Sequence, residues 1–178
     1  VAGAIAGGEV TIKRVDPEHL RAVIDPLIQA GYVIATGKDY VTVSAGGRRE
    51  AMKLETLPYP GFPTDMQAQM CALLATTHGI SAITENVFPQ RYMHIAELKR
   101  MGANIELEGA TAVITGVEKL SGAPVMASDL RASAALVLAG LMAEGTTEIR
   151  RVYHIDRGYE SIDEKLNALG ANIERVKV

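Results

Sequence analysis

Three times along this chain, an apolar run that ends in glycine is followed at once by a short segment typical of a β-strand. The runs cover residues 1–8, 74–79 and 138–145, and the segments cover residues 9–12, 80–83 and 146–149. The terminal glycines lie 71 (79 − 8) and 66 (145 − 79) positions apart. Glycine commonly caps the carboxyl end of a helix, and regular spacing indicates a repeat. The pattern therefore predicts a repeated helix–strand unit.

Each unit continues with a second helix that also ends in glycine, over residues 27–31, 98–102 and 166–170. Apolar residues at spacings of three and four, with charges between them, predict that these helices are amphipathic. Glycine-containing turns predict a β-hairpin over residues 32–44 and another over residues 103–115, whereas the third unit ends with one predicted strand over residues 171–178. The unit is helix, strand, helix, strand, strand.

The first helix of each unit is apolar or small on nearly every face, as residues 66–77 and 130–143 illustrate. Such helices must be surrounded by protein. Thr64 with Gln67 matches a capping box, and Ser128 is expected to cap the later helix. We therefore predict an α/β fold, an inverse α/β barrel with apolar helices inside and sheets outside. The expected repeats span about 1–57, 58–122 and 123–178 of a single lobe.

Composition excludes several classes of protein. Hydrophobic residues make up 48% of the 178 residues, charged residues 22%, and the net charge of −3 gives no basic excess for nucleic acid. No apolar run reaches the roughly 18 residues of a membrane span. Cys71 is the single cysteine, and the four histidines show no metal-ligand spacing. We expect a cytoplasmic protein without a metal site.

Two acids occupy equivalent places in successive units, each just before an apolar helix. Asp65 lies in Pro63-Thr64-Asp65-Met66, and Asp129 lies 64 positions later (129 − 65) in Ala127-Ser128-Asp129-Leu130. An acid there can simply complement the helix dipole. Arg131, however, carries a positive charge at the positive end of the same helix. It is better explained if an anion, such as a phosphate or carboxylate, also binds there.

The two ends of the chain lead us to expect that it is part of a longer protein. There is no initiator Met, the first unit opens inside its helix at Val1, and the third unit lacks its last strand. Segments from elsewhere in a parent chain would complete both units.

Four segments together resemble the carboxy-terminal lobe of the UDP-N-acetylglucosamine enolpyruvyl transferases, and the resemblance covers the whole chain. They are Phe62-Pro63-Thr64-Asp65-Met66-Gln67-Ala68-Gln69, Glu118-Lys119-Leu120-Ser121-Gly122-Ala123, Ala127-Ser128-Asp129-Leu130-Arg131-Ala132-Ser133-Ala134 and Tyr153-His154-Ile155-Asp156-Arg157-Gly158-Tyr159-Glu160. The resemblance implies a two-lobed enzyme of the first committed step of peptidoglycan synthesis, with three repeats in each lobe and a substrate cleft between them. The substrates would be UDP-N-acetylglucosamine and phosphoenolpyruvate, and no cofactor is implied.

The resemblance also implies roles for particular residues. The residue matching Asp65 contacts the 3-hydroxyl of the amino sugar, which makes Asp65 the candidate base, and the one matching Asp129 takes part in proton transfer at the reacting carbon. Arg131, Arg157 and, by its related place in the second repeat, Arg91 would bind phosphoenolpyruvate. Val87 would line the nucleotide-sugar pocket through its backbone. From the residues alone, Arg157 could equally form a surface ion pair with Asp156.

The amino-terminal lobe implied by the resemblance is absent from this sequence, together with its mobile loop bearing a cysteine and its Lys-Asn pair. Cys71 falls in a buried helix and does not match that cysteine. We therefore expect negligible turnover from this chain alone. Two alternatives stay open: a lobe like that of 5-enolpyruvylshikimate-3-phosphate synthase, and a non-catalytic ligand-binding domain.

Overall fold

The structure, a computed structural model, describes residues 1–5, 7–44, 46 and 49–176. Its helices are α1 Ala2–Ile5, α2 Arg21–Gln29, α3 Gln67–Leu74, α4 Met93–Arg100, α5 Leu130–Met142, α6 Tyr153–Asp156 and α7 Ile162–Ala168. Its strands are β1 Glu9–Lys13, β2 Val33–Thr36, β3 Tyr40–Ser44, β4 Lys53–Glu55, β5 Ile80–Thr84, β6 Asn104–Glu108, β7 Thr111–Thr115, β8 Pro124–Met126 and β9 Glu148–Arg150. Short 3-10 helices cover Pro17–Leu20 and Thr64–Met66.

The strands form three sheets. The first has the order β1-β3-β2 and is antiparallel, the second has the order β4-β5-β7-β6, and the third pairs β8 with β9. In the second sheet, β4 runs parallel to β5, while the β5–β7 and β6–β7 pairs are antiparallel. The β8–β9 pair is also parallel. In both parallel pairs, the apolar helix α3 or α5 forms the connection between the two strands.

The apolar helices α1, α3 and α5 lie in the interior and are packed against one another through α5. Every residue of α3 is buried, and Leu73, Leu74 and Leu136 are fully inaccessible to solvent. This interior packing confirms the predicted mixed α/β fold with helices inside and sheets outside. Over the part of the chain that the structure describes, none of the helices is both long and apolar enough to cross a membrane.

The local turn signals were largely correct. Both predicted hairpins are present, as β2–β3 and β6–β7. Gly31, Gly102 and Gly170, which follow the C-caps of α2, α4 and α7, have positive φ angles of 90°, 88° and 99°, as a left-handed helix cap requires. Gly79 and Gly145 also have positive φ angles, of 95° and 87°, but the apolar helices α3 and α5 end before them, at Leu74 and Met142. In the first unit, however, the positive φ of 76° falls on Gly7 and not on the expected Gly8.

Three local predictions were wrong. Thr64 and Gln67 form no capping box, since the Thr64 hydroxyl donates to Glu85 and the Gln67 amide donates to the sulfur of Cys71. Asp129, not Ser128, caps α5. Residues 171–176 contain no strand, and residues 177 and 178 lie outside the described residues.

The sequence pattern also failed to predict β4 and β8, which are only three residues long and each pair with a strand beyond the following helix. The division into three repeats remains a proposal. Because β4 joins the second sheet, we propose that the first repeat boundary lies before Lys53 and not near residue 57.

The buried His94, on α4, should make the folding stability of this chain depend on pH. It is 1% exposed, and its Nε2 atom has no hydrogen-bond partner among the described residues. Burial lowers the pKa of His94 from 6.5 to about 4, although the charge of Asp129 acts in the opposite direction. The unfolded chain therefore binds more protons than the folded chain between these values, and stability falls as the pH drops through this window.

We expect this histidine alone to cost about 3 kcal/mol of unfolding free energy between pH 7 and pH 4. Replacing His94 with leucine should remove that part of the pH dependence, as measured by urea unfolding at several pH values. His19→Leu, at an exposed histidine, is the control. If the unfolding free energy of His94→Leu falls with decreasing pH as steeply as that of the wild type, His94 is not the cause of this pH dependence.

Candidate functional site

Asp65 lies at the centre of an arginine cluster. It belongs to the 3-10 helix that leads into α3, and its side chain is 51% exposed. Arg131 donates to both carboxylate oxygens, from Nε to Oδ1 at 3.0 Å and from Nη2 to Oδ2 at 2.5 Å. Arg91 donates from Nη1 to Oδ1 at 2.8 Å. A bidentate arginine–carboxylate pair fixes orientation as well as distance.

The start of α5 positions the second acid. The Oδ1 atom of Asp129 accepts from the backbone N–H groups of Arg131 and Ala132, at 2.8 and 2.9 Å. This is the usual geometry of a helix N-cap. The Arg131 side chain, which is unfavourably placed for the helix dipole, is compensated by its ion pair with Asp65.

A pocket of about 410 Å³ opens beside this cluster and is lined by Arg91, Asp129, Leu130, Arg131 and Arg157. Arg157 follows α6, which packs against α5. Among the described residues, the Arg157 side chain has no hydrogen-bond or ion-pair partner, and Asp156 pairs instead with Arg175 at 2.9 Å. The alternative ion pair between Asp156 and Arg157 is therefore not formed. Three guanidinium groups around one pocket suit a ligand with two anionic groups.

The loop after β5 contributes a buried carboxylate. Glu85 is 0% exposed and accepts hydrogen bonds from the hydroxyls of Thr56 and Thr64 and from the backbone N–H groups of Val87 and Phe88. Burial acts to raise the pKa of Glu85, but the four hydrogen bonds outweigh it and hold the pKa below its ordinary value. The carboxylate is therefore ionised at neutral pH and accepts hydrogen bonds only.

The arginines also control the charge of Asp65. The hydrogen bond from Arg131 lowers the pKa of Asp65 most strongly; partial burial opposes it, and the bond from Arg91 adds to the lowering. In this state, Asp65 is an anion held by two cations and a weak proton acceptor. Withdrawal of either guanidinium would raise the pKa of Asp65 and strengthen it as a base.

Six residues stood out in the sequence as candidates for this site, and five of them lie in or beside this pocket: Asp65, Arg91, Asp129, Arg131 and Arg157. Val87, the sixth, lies in the loop before Arg91, with its N–H bound to Glu85. Their chemical roles remain predictions. Glu85 was missed, although an acid directly after an apolar strand is a weak signal of a buried carboxylate.

Neither a metal nor a thiol is indicated at this site. Over the residues that the structure describes, no group of three or more His, Cys, Asp or Glu side chains is arranged to hold a metal ion. Cys71 is fully buried in α3, and burial raises the pKa of its thiol. The thiol is therefore protonated and inaccessible.

Comparisons with known proteins agree with the geometry. A UDP-N-acetylglucosamine 1-carboxyvinyltransferase of Akkermansia muciniphila is 61% identical over 178 aligned positions, and the match covers 99% of this chain and 42% of that protein. The crystal structure of the enolpyruvyl transferase NikO from Streptomyces tendae superposes with a TM-score of 0.88 at 27% identity, over 97% of this chain and 41% of that one. EPSP synthase from Acinetobacter baumannii, at 21% identity and a TM-score of 0.71 over 98% of this chain and 41% of that one, shares the fold.

The chain thus spans about 42% of the length of the curated relatives it matches. The resemblance that the motifs indicated is confirmed by these relatives. The family model described as EPSP synthase (3-phosphoshikimate 1-carboxyvinyltransferase) matches residues 1–166. Because that match covers nearly the whole sequence, this chain belongs to the EPSP synthase family, that of the enolpyruvyl transferases.

Proposed function

We propose that this chain is the carboxy-terminal lobe of an enzyme that transfers the enolpyruvyl group of phosphoenolpyruvate to the 3-hydroxyl of UDP-N-acetylglucosamine, with release of phosphate. The observation that carries the proposal is the ion-pair cluster of Asp65, Arg91 and Arg131 beside a pocket that also holds Arg157 and Asp129. The 61% identity to a UDP-N-acetylglucosamine 1-carboxyvinyltransferase supports the choice of acceptor.

The reaction needs the groups that this pocket offers. In the addition, the acceptor oxygen bonds to C2 of phosphoenolpyruvate, its proton leaves to a base, and C3 gains a proton from an acid. In the elimination, C3 loses a proton and the bond from C2 to the phosphate oxygen breaks. Asp65 is the proposed base for the hydroxyl, and Asp129 is the proposed group for proton transfer at C3. The three arginines would neutralise the carboxylate and phosphate.

Substrate binding would also activate the base. The anionic groups of phosphoenolpyruvate compete with Asp65 for Arg131 and Arg91. As these hydrogen bonds weaken, the pKa of Asp65 rises toward its ordinary value, and Asp65 accepts a proton more readily. The resting ion pairs thus hold both arginines in place until the donor substrate arrives.

Ligand binding by the 178-residue chain tests the proposal against its two alternatives, a lobe like that of EPSP synthase and a non-catalytic ligand-binding domain. We expect UDP-N-acetylglucosamine to shift the NMR signals of Asp65 and Val87, and phosphoenolpyruvate to shift those of Arg91, Arg131 and Arg157. Shikimate 3-phosphate should leave the NMR signals of Asp65 and Val87 unchanged. If it shifts them while the UDP-sugar does not, the lobe is like that of EPSP synthase. If no ligand shifts either group, the proposal fails.

Turnover is expected only when the other lobe is present. We expect negligible phosphate release from the isolated chain and release from a chimera in which this chain replaces the matching 42% of the Akkermansia muciniphila relative. Rapid release by the isolated chain would contradict the first expectation. In the cell, the enzyme would act in the cytoplasm, at the first committed step of peptidoglycan synthesis, with the amino-terminal lobe as its partner.

A further inference from the structure

Glu85 is a buried charged group that the proposed reaction does not use. It lies directly after β5, and its side chain reaches three other parts of the site. These are Thr56 directly after β4, Thr64 beside Asp65, and the backbone of Val87 and Phe88. A buried carboxylate is costly unless each oxygen has partners, and here both oxygens have them.

The two carboxylate oxygens of Glu85 bind different parts of the site. Oε1 accepts from the Thr56 hydroxyl at 2.5 Å and from the N–H groups of Val87 and Phe88 at 2.9 and 3.0 Å, which fixes the loop after β5. Oε2 accepts from the Thr64 hydroxyl at 2.8 Å. The Thr56 hydroxyl in turn accepts from the Asn86 N–H at 2.9 Å, which adds a further link between β4 and the loop.

The hydrogen bond between Glu85 and Thr64 fixes the orientation of the Thr64 hydroxyl proton. Because Glu85 is an acceptor only, Thr64 must donate to it, and the lone pairs of the Thr64 oxygen then face other donors. Arg91 supplies one, from Nη1 at 3.0 Å. The same Nη1 atom donates to Asp65 at 2.8 Å. Glu85, Thr64, Arg91 and Asp65 therefore form one continuous chain of hydrogen bonds.

We propose that Glu85 is a positioning residue of this site: its buried carboxylate orients the Thr64 hydroxyl to receive Arg91, and so holds Arg91 against Asp65 while it fixes the loop that carries Val87. It touches neither substrate. The consequence for the reaction rests on the proposed function, whereas the hydrogen-bond chain itself can be tested without it.

Glu85→Gln is the informative substitution because it keeps the volume and removes the charge. The amide oxygen must face the three donors at the Oε1 position, so the amide NH₂ faces Thr64. The Thr64 oxygen then accepts a hydrogen bond from the amide, whereas in the wild type its hydroxyl donates one to Glu85. The Thr64 hydroxyl proton must then point elsewhere, where it interferes with the hydrogen bond from Arg91. Thr64→Val removes the same link without touching the buried acid, and Thr64→Ser retains the hydroxyl. Glu55→Gln, an exposed acid on β4, is the control.

The first test uses the 178-residue chain and follows the carboxyl carbon of Asp65 by NMR as a function of pH. We expect the titration midpoint of Asp65 to rise in Glu85→Gln and Thr64→Val, to return toward the wild-type value in Thr64→Ser, and to stay unchanged in Glu55→Gln. If Glu85→Gln does not fold, Thr64→Val carries the same test. A wild-type midpoint in the folded Glu85→Gln chain, or in Thr64→Val, would overturn the proposal.

The second test measures kinetics in the chimera. A misplaced Arg91 should lower kcat/KM by about 10²-fold in Glu85→Gln and raise the KM for phosphoenolpyruvate. Simple loss of folded protein would lower apparent kcat without changing KM, and that result would count against a positioning role. An inactive wild-type chimera would argue against the proposed function, while the titration of Asp65 would still decide the role of Glu85.

Discussion

Replacing Asp65 with alanine should reduce enolpyruvyl transfer by the chimera by about 10²- to 10⁴-fold, the range that a general base contributes. The loss should fall mainly on kcat, because Asp65 is proposed to act on the acceptor hydroxyl in the transition state. Phosphate release at saturating phosphoenolpyruvate and UDP-N-acetylglucosamine measures it. Asp65→Asn, which keeps the shape and one acceptor oxygen for the arginines, should be similarly impaired.

The control for this substitution is another arginine-paired acid. Asp25 on α2 lies 3.8 Å from Arg21 and is exposed, far along the chain from the cluster. Asp25→Ala should leave turnover unchanged. Full activity in Asp65→Asn would show that Asp65 only holds the arginines, and full activity in Asp65→Ala would remove it from the mechanism altogether.

Replacing Arg131 with alanine should lower kcat/KM for phosphoenolpyruvate in the chimera by about 10²- to 10³-fold, as expected when one group that stabilises developing negative charge is lost. Arg131 is also the strongest cause of the lowered pKa of Asp65, so the pKa of Asp65 should rise in this variant. Arg131→Lys should recover little, because an ammonium group cannot donate in the bidentate geometry seen here.

Two measurements check this expectation. Steady-state kinetics with varied phosphoenolpyruvate gives the loss in kcat/KM, and an NMR titration of the isolated chain gives the change at Asp65. Arg21→Ala, at an exposed arginine, is the matched control. An unchanged KM and kcat in Arg131→Ala would exclude Arg131 from donor binding.

Local sequence signals predicted most of the fold. The hairpins β2–β3 and β6–β7 depend on turns of a few residues, and glycine marks the ends of the amphipathic helices α2, α4 and α7 because a left-handed conformation is required there. The strands β4 and β8 escaped prediction because three residues carry too little pattern and their partners lie beyond a helix. The predicted final strand was wrong for a related reason: an apolar pattern alone does not supply a pairing partner.

The candidate site was predictable only in part. Asp65, Asp129 and Arg131 stood out because they occur at helix starts, where their charges affect the dipole. The pairing of Asp65 with Arg131 joins residues 66 positions apart, so no local pattern could indicate it. The same holds for Thr64. Its sequence context suggested a cap for the following helix, but its hydroxyl donates to Glu85, 21 positions away.

The most direct test of the account is phosphate release from phosphoenolpyruvate by the wild-type chimera, with and without UDP-N-acetylglucosamine. We expect release that requires the UDP-sugar and yields its 3-O-enolpyruvyl product. A parallel sample with shikimate 3-phosphate should release none. A chimera that is folded and binds both substrates, yet releases no phosphate, would contradict the claim that this lobe supplies the base and the arginines of an enolpyruvyl transferase.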